Sequence, residues 1–155
     1  MPLSRAQQLD AGAWKGSEHA GARIPTLEQA LAVMLPHSIP MIEHKGGDAQ
    51  AYVDFLRRIG AAEHVLVQSF DWDFVARVRS LASDIALGLL GPTDAHAQLD
   101  DSTIDAALRI GASFVHWHAT ELTRDAIDRA HAAGLLVVTY TSDDELSWHG
   151  GRALG

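Results

Sequence analysis

The segment IPMIEHKGGDAQ, residues 39–50, carries an apolar run that ends in charged residues just before two glycines. Side chains along a β-strand alternate between its two faces. A strand through this segment therefore places Glu43 and Lys45 on one face and His44 on the other. The two glycines turn the chain, and Asp48 can cap a helix that follows. The segment thus predicts a strand that ends in two opposite charges and is followed by a helix.

Outward from this segment, apolar strand-like runs alternate with amphipathic helix-like runs. Strands that alternate with helices of this length indicate parallel pairing, and strands that are apolar throughout indicate a sheet covered on both faces. The predicted strands are SIPMIEHK (38–45), HVLVQSF (64–70), IALGLLG (85–91), SFVHWHA (113–119) and LLVVTYT (135–141). The predicted helices are TLEQALAVML (26–35, opened by a capping box), AQAYVDFLRRIG (49–60), DWDFVARVRSLA (71–82), DSTIDAALRIGA (101–112) and RDAIDRAHAAG (124–134), with another beginning in 143–155.

The apolar spacing of two helices predicts which of their faces is apolar. In the helix after Asp71 the face is Phe74, Val75, Val78 and Leu81, and in the helix after Asp48 it is Tyr52, Phe55, Leu56 and Ile59. Five strands leave two architectures open, an open doubly wound sheet or part of a (β/α)8 barrel. In both, ligands bind at the carboxyl ends of the strands, where the polar residues of this sequence gather.

Length and composition limit the classes of function. The 155 residues suffice for one domain with a core, and the net charge of -8 disfavours a general nucleic-acid binder. There are no cysteines, so thiolate chemistry and disulfides are excluded. No apolar run is long enough for a membrane span, and the first residues contain no apolar signal-peptide core. The compartment stays open.

The pair Glu43 and Lys45 has two interpretations. A carboxylate binds hard divalent ions and an ammonium neutralises phosphate, so the pair suits a metal–phosphate site. The alternative is a surface ion pair of little energetic value. A second candidate is His116 with His118, which share a strand face and suit zinc or iron if a third ligand is found. Glycine-rich phosphate loops of the usual spacing and a G-x-S-x-G elbow are not found in the sequence.

Four segments, in order, resemble the glycerophosphodiester phosphodiesterase family. They are LDAGAWKGSEHAGARIPTLEQAL, IPMIEHKGGD with its Glu-x-Lys, VLVQSFDWDFVARVRSLASDIALGLLG, and ELTRDAIDRAHAAGLLVVTYTSDD. The resemblance implies a (β/α)8 barrel that hydrolyses a phosphodiester such as glycerophosphocholine to glycerol 3-phosphate and an alcohol. It also implies a divalent cation, Ca²⁺ or Mg²⁺. By position, Glu43 would be a metal ligand, Lys45 would contact the phosphate, and Phe70 and Tyr140 would line the alcohol side.

The sequence also departs from this family. The His-Arg-Gly motif of the family's first strand and the Glu, Asp and second His that follow it are not found here. The resemblance therefore predicts that residues 1–155 form a single, incomplete barrel domain without the first two strands and the eighth, inactive by itself. Two alternatives remain. One is a non-catalytic relative that binds a phosphorylated ligand or pairs with itself through open barrel edges, and the other is an unrelated metal enzyme that uses His116 and His118.

Overall fold

The computed structural model describes residues 1–143 and 149–151, and the chain forms two compact units, Met1–Pro40 and Met41–Gly155. The first unit contains α1 (Leu3–Ala6), a 3-10 turn at Ser17–His19 and α2 (Leu27–Met34). Thr26 opens α2 with the predicted capping box, in which its side chain accepts from the Gln29 N–H and the Gln29 side chain accepts from the Thr26 N–H. The last predicted helix lies largely outside the described residues, of which 149–151 are helical.

The second unit is built on five parallel strands in sequence order, as the alternation of strands and helices predicts. The strands are β1 (Met41–Glu43), β2 (Leu66–Ser69), β3 (Ala86–Gly91), β4 (Phe114–His118) and β5 (Leu136–Tyr140). The helices are α3 (Ala49–Arg58), α4 (Trp72–Leu81), α5 (Asp101–Ile110) and α6 (Arg124–Ala132), with 3-10 turns at Ala62–His64 and Ala119–Glu121. The predicted α/β class and strand number are confirmed. None of the described helices is long and apolar enough to cross a membrane.

Each of the helices α3 to α6 is preceded by a capping residue whose side chain accepts a hydrogen bond from a free backbone N–H group of the first turn. Asp48, Asp71, Asp100 and Thr123 each accept a hydrogen bond from the N–H three residues ahead. The five strands run parallel, so the carboxyl ends that precede these caps lie at one edge of the sheet.

One sheet face packs on the helices and forms the core. It carries Val67, Leu87, Leu89 and Val115, none of which is exposed. On α4, Phe74, Val75 and Val78 are fully buried, as predicted. Leu81, the fourth residue of the predicted apolar face, is 37% exposed. It is the last residue of the helix, and the chain turns to an extended conformation at the next residue.

On α3 the buried face differs from the predicted apolar one. Ala49, Val53 and Leu56 are buried, whereas Tyr52, Phe55 and Ile59 are only half-buried. The buried face of α3 is therefore Ala49, Val53 and Leu56, and the aromatic side chains flank it.

The opposite sheet face depends on a glycine. Gly88 pairs with Phe114 in the β3–β4 register, and the Phe114 ring lies over it. A Cβ atom at position 88 would come within 2.0 Å of this ring. Phe114 is almost fully buried because β3 offers no side chain at that point.

We expect Gly88→Ala to destabilise the second unit by about 1–3 kcal/mol, because the added methyl group must displace the Phe114 ring from a packed position. Urea unfolding measures the change. Gly150→Ala is the matched control, since a Cβ there meets no atom of the described residues within 4 Å. Equal stability of the two variants would contradict this account of the sheet face.

Candidate functional site

Glu43 and Lys45 form an ion pair at the carboxyl end of β1. The Lys45 ammonium donates to Glu43 Oε1. The Glu43 side chain is 31% exposed and that of Lys45 is 76% exposed, so the ammonium stays open to solvent. The pair lies on one face of the strand, as the alternation of side chains predicts.

His44, between them in the sequence, lies on the other face and is buried. Its ring is parallel to that of Phe74, with centroids 3.4 Å apart and planes at 2°, and edge-on to Tyr52 at 6.0 Å. Its Nδ1 lies 3.4 Å from Ser69 Oγ, and its Nε2 lies 3.3 Å from the Gly47 carbonyl oxygen. Both ring nitrogens are thus engaged within the protein, and His44 holds the strand end in place.

Next to the ion pair, Gln68 and His116 form a neutral polar pair. Gln68 on β2 is opposite Glu43 in the strand register, and its Oε1 lies 2.7 Å from His116 Nδ1 on β4. Gln68 is 5% exposed and His116 is half-buried. The hydrogen bond spans β3, on which Gly88 is the register partner of Gln68 and Leu90 that of His116.

Two aromatic rings, those of Tyr140 and Phe70, border these polar groups on the same sheet face. Tyr140 on β5 lies edge-on to His116 at 5.0 Å and to His118 at 5.4 Å, and its hydroxyl donates to the Gly91 carbonyl. Phe70, which is 44% exposed, lies edge-on to Tyr140 at 6.5 Å and 6.0 Å from Lys45 Nζ. The predicted residues Glu43, Lys45, Phe70 and Tyr140 therefore lie on one connected surface.

The electrostatics show that these groups share one environment. Burial lowers the pKa of His116 from 6.5, while the Thr139 backbone and the Glu43 charge act against this shift. Burial also raises the pKa of Tyr140, and the Glu43 charge adds to the rise. The charge of Glu43 on β1 thus influences the pKa values of side chains on β4 and β5.

Comparison with known proteins then places the chain. The model of the glycerophosphoryl diester phosphodiesterase family matches residues 1–155. The chain belongs to this family. The Bacillus subtilis protein YhdW, whose name assigns it provisionally to the glycerophosphodiester phosphodiesterases, is 29% identical over 148 residues. That match covers 92% of this chain and 60% of YhdW, so the chain spans about three-fifths of the length of this relative.

Two solved structures show the same fold. A Galdieria sulphuraria protein with the same provisional name gives a TM-score of 0.83 at 22% identity, over 99% of this chain and 63% of that one. An Oleispira antarctica phosphodiesterase in complex with the product sn-glycerol-3-phosphate gives 0.81 at 22% identity, over 100% of this chain and 64% of that one. The five strands are therefore part of the barrel fold of this family, and the sequence resemblance is confirmed.

The family resemblance implies a divalent cation, and the described residues do not complete a site for one. Within residues 1–143 and 149–151, no group of three His, Asp, Glu or Cys side chains is placed to hold a metal ion. Glu43 offers a single carboxylate, and Lys45 already donates to it. The interpretation of His116 and His118 as zinc or iron ligands therefore has no third ligand among the described residues. His118 Nδ1 instead accepts a hydrogen bond from Thr120.

Gln68 is one of the polar residues that the sequence places at the strand ends, but the sequence alone gave it no specific role in the site. Its side chain is a buried amide within the apolar run VLVQSF. A polar residue inside an apolar strand is the sequence feature that could have indicated its place in the site. A buried polar side chain in a strand needs a partner, so its presence indicates another polar group on the same face. Which group that is depends on strand order and not on local sequence.

The burial of His116 predicts a loss of stability in acid. Because its pKa is lower in the folded chain than the ordinary 6.5, the unfolded chain binds the proton first as the pH falls. The stability that neutral His116 contributes is fully present above about pH 6.5. It is lost as the pH falls through the pKa of His116 in the folded chain. We expect the free energy of unfolding to fall less between about pH 7.5 and 5.5 in His116→Gln than in the wild type.

Urea unfolding at several pH values checks this expectation. His64→Gln is the control, since His64 is an exposed histidine. If the free energy of unfolding changes with pH in the same way in the wild type and in His116→Gln, the burial of His116 does not cause the loss of stability in acid.

Proposed function

We propose that the protein to which this fold and site belong hydrolyses glycerophosphodiesters to glycerol 3-phosphate and an alcohol with a divalent cation, Ca²⁺ or Mg²⁺. The residues of this chain supply the phosphate-binding side of that site. The observation that carries the proposal is the placement of Glu43 and Lys45 side by side at a strand end, in a chain of this family.

Lys45 suits the role of phosphate contact. Its ammonium is open to solvent, and a compact ammonium neutralises phosphate charge without a fixed geometry. Glu43 holds that ammonium in position when the site is empty of anion. Phe70, near the ammonium, and Tyr140 offer an apolar wall on which the alcohol portion of a substrate can rest.

Hydrolysis needs groups that the described residues do not bring together. A general acid and a general base each contribute about 10²–10⁴-fold to such a reaction. The family's His-Arg-Gly motif is not found in this sequence, and the described part contains no three-ligand metal group. We therefore propose that this chain by itself binds a phosphorylated ligand without turning it over.

Purified chain is expected to release no glycerol 3-phosphate from glycerophosphocholine above the buffer rate, with Ca²⁺ or with Mg²⁺. An enzyme-coupled assay of glycerol 3-phosphate measures this. Turnover that requires the cation and disappears in Glu43→Gln would show instead that the site is complete in this chain.

Binding of sn-glycerol 3-phosphate is expected to weaken about tenfold in Lys45→Met, the loss of one exposed charge-assisted contact. Titration calorimetry measures the dissociation constants. Lys15→Met makes the same charge change at an exposed position of the first unit and is the matched control. If both variants bind equally well, Lys45 is not the phosphate contact.

Sequencing the DNA on both sides of this reading frame separates the proposed hydrolase from a relative that only binds or pairs with itself. In-frame coding for His-Arg-Gly and the acidic ligands upstream would favour hydrolysis. Stop codons that close the frame on both sides would favour binding or assembly, with Glu43 and Lys45 as the remainder of a lost site.

A further inference from the structure

The turn between β1 and α3 carries the proposed phosphate contact but has little backbone structure of its own. The sheet ladder continues only to His44, whose N–H donates to the Gln68 carbonyl at 2.8 Å. Gly46 and Gly47 follow with φ of +153° and +113°, a region that favours glycine. Residues 45–47 form no backbone–backbone hydrogen bond with any described residue. Because such a turn has many conformations open to it, a side chain must restrict it.

The imidazole of His44 makes that contact. Its Nε2 lies 3.3 Å from the Gly47 carbonyl oxygen, and because a carbonyl oxygen only accepts, Nε2 is the nitrogen that carries the proton. At the other end of the ring, Nδ1 lies 3.4 Å from Ser69 Oγ, which also accepts the Asp71 N–H at 3.0 Å. The two ring nitrogens point away from each other, so the ring bridges the glycine turn and the end of β2.

The ring is held in place from the core side. His44 is 8% exposed, stacks on Phe74 at 3.4 Å and lies edge-on to Tyr52 at 6.0 Å. A donor on a ring that is already fixed loses little conformational entropy when it forms its hydrogen bond. The hydrogen bond to Gly47 therefore ties the turn to the packed core.

We propose that His44 is a positioning residue for Lys45, and that it acts through the hydrogen bond from its Nε2–H to the Gly47 carbonyl. Lys45 is the first residue of the turn, so restriction of Gly47 restricts the backbone that carries the ammonium. The ion pair with Glu43 is too weak to do this alone, since the Lys45 side chain is 76% exposed. That this affects anion binding rests on the proposed function, in which Lys45 contacts phosphate.

The test removes the hydrogen bond and keeps an aromatic ring on Phe74. In His44→Phe, titration calorimetry with sn-glycerol 3-phosphate on the intact chain is expected to show binding about fivefold weaker, the loss expected for one hydrogen bond. Added to Lys45→Met, the same change is expected to alter the affinity by less than about twofold, because the ammonium it positions is gone. His64→Phe replaces an exposed histidine and should bind like the wild type.

A purely structural role of His44 would weaken binding by the same factor with and without the ammonium. His44→Gln gives the converse of His44→Phe, since its amide N–H reaches towards the Gly47 carbonyl but no ring stacks on the core. We expect its urea midpoint to be lower than that of His44→Phe and its affinity to be within about twofold of the wild type. Unchanged affinity in His44→Phe, equal factors in the two backgrounds, or affinities that follow the urea midpoints would overturn the inference.

Backbone ¹⁵N relaxation tests the same inference without a ligand. The order parameters of Lys45, Gly46 and Gly47 are expected to fall in His44→Phe and to stay unchanged in His64→Phe. If the wild type binds no sn-glycerol 3-phosphate, or Lys45→Met binds it equally well, the phosphate contact fails and these order parameters decide the role of His44. Lowered values at residues 45–47 support the positioning of Lys45, and unchanged values overturn it.

Discussion

The imidazole of His44 lies flat on the ring of Phe74, with centroids 3.4 Å apart. Phe74 is fully buried on α4, so this stacking ties the end of β1 to the helix layer. Because side chains alternate along a strand, a buried His44 requires Glu43 and Lys45 to lie on the opposite face. The position of the charged pair thus depends on an aromatic contact beneath it. The attraction between two exposed charges is too weak to fix that position by itself.

The parallel sheet then determines which groups join this pair. With all five strands running the same way, their carboxyl ends share one edge. Groups far apart in the sequence, such as Gln68 and His116, meet because β2 and β4 lie on either side of β3. The same fold at 22% identity in two solved structures shows that this fold does not require a closely similar sequence.

The difference between local contacts and contacts set by strand order explains how much of the structure could be predicted from the sequence. Strands, caps and the faces of Glu43 and Lys45 follow from local spacing, and the structure has them where the spacing predicts. The bond between Gln68 and His116 depends on strand order across the sheet, which local spacing does not contain. The exposure of Leu81 follows from where α4 ends, and helix ends are the least predictable part of a periodic pattern.

The two polar pairs of the site differ in what they can contribute to recognition. Glu43 and Lys45 are charged and partly open to solvent, and because their charges cancel, an anion that binds the Lys45 ammonium competes with the Glu43 carboxylate. Gln68 and His116 are more buried, and burial favours the neutral form of the imidazole. A fixed neutral donor and acceptor act only at hydrogen-bonding distance and in the right geometry. The proposed anion contact therefore rests on the charged pair, whereas the neutral pair is bonded to itself across the sheet.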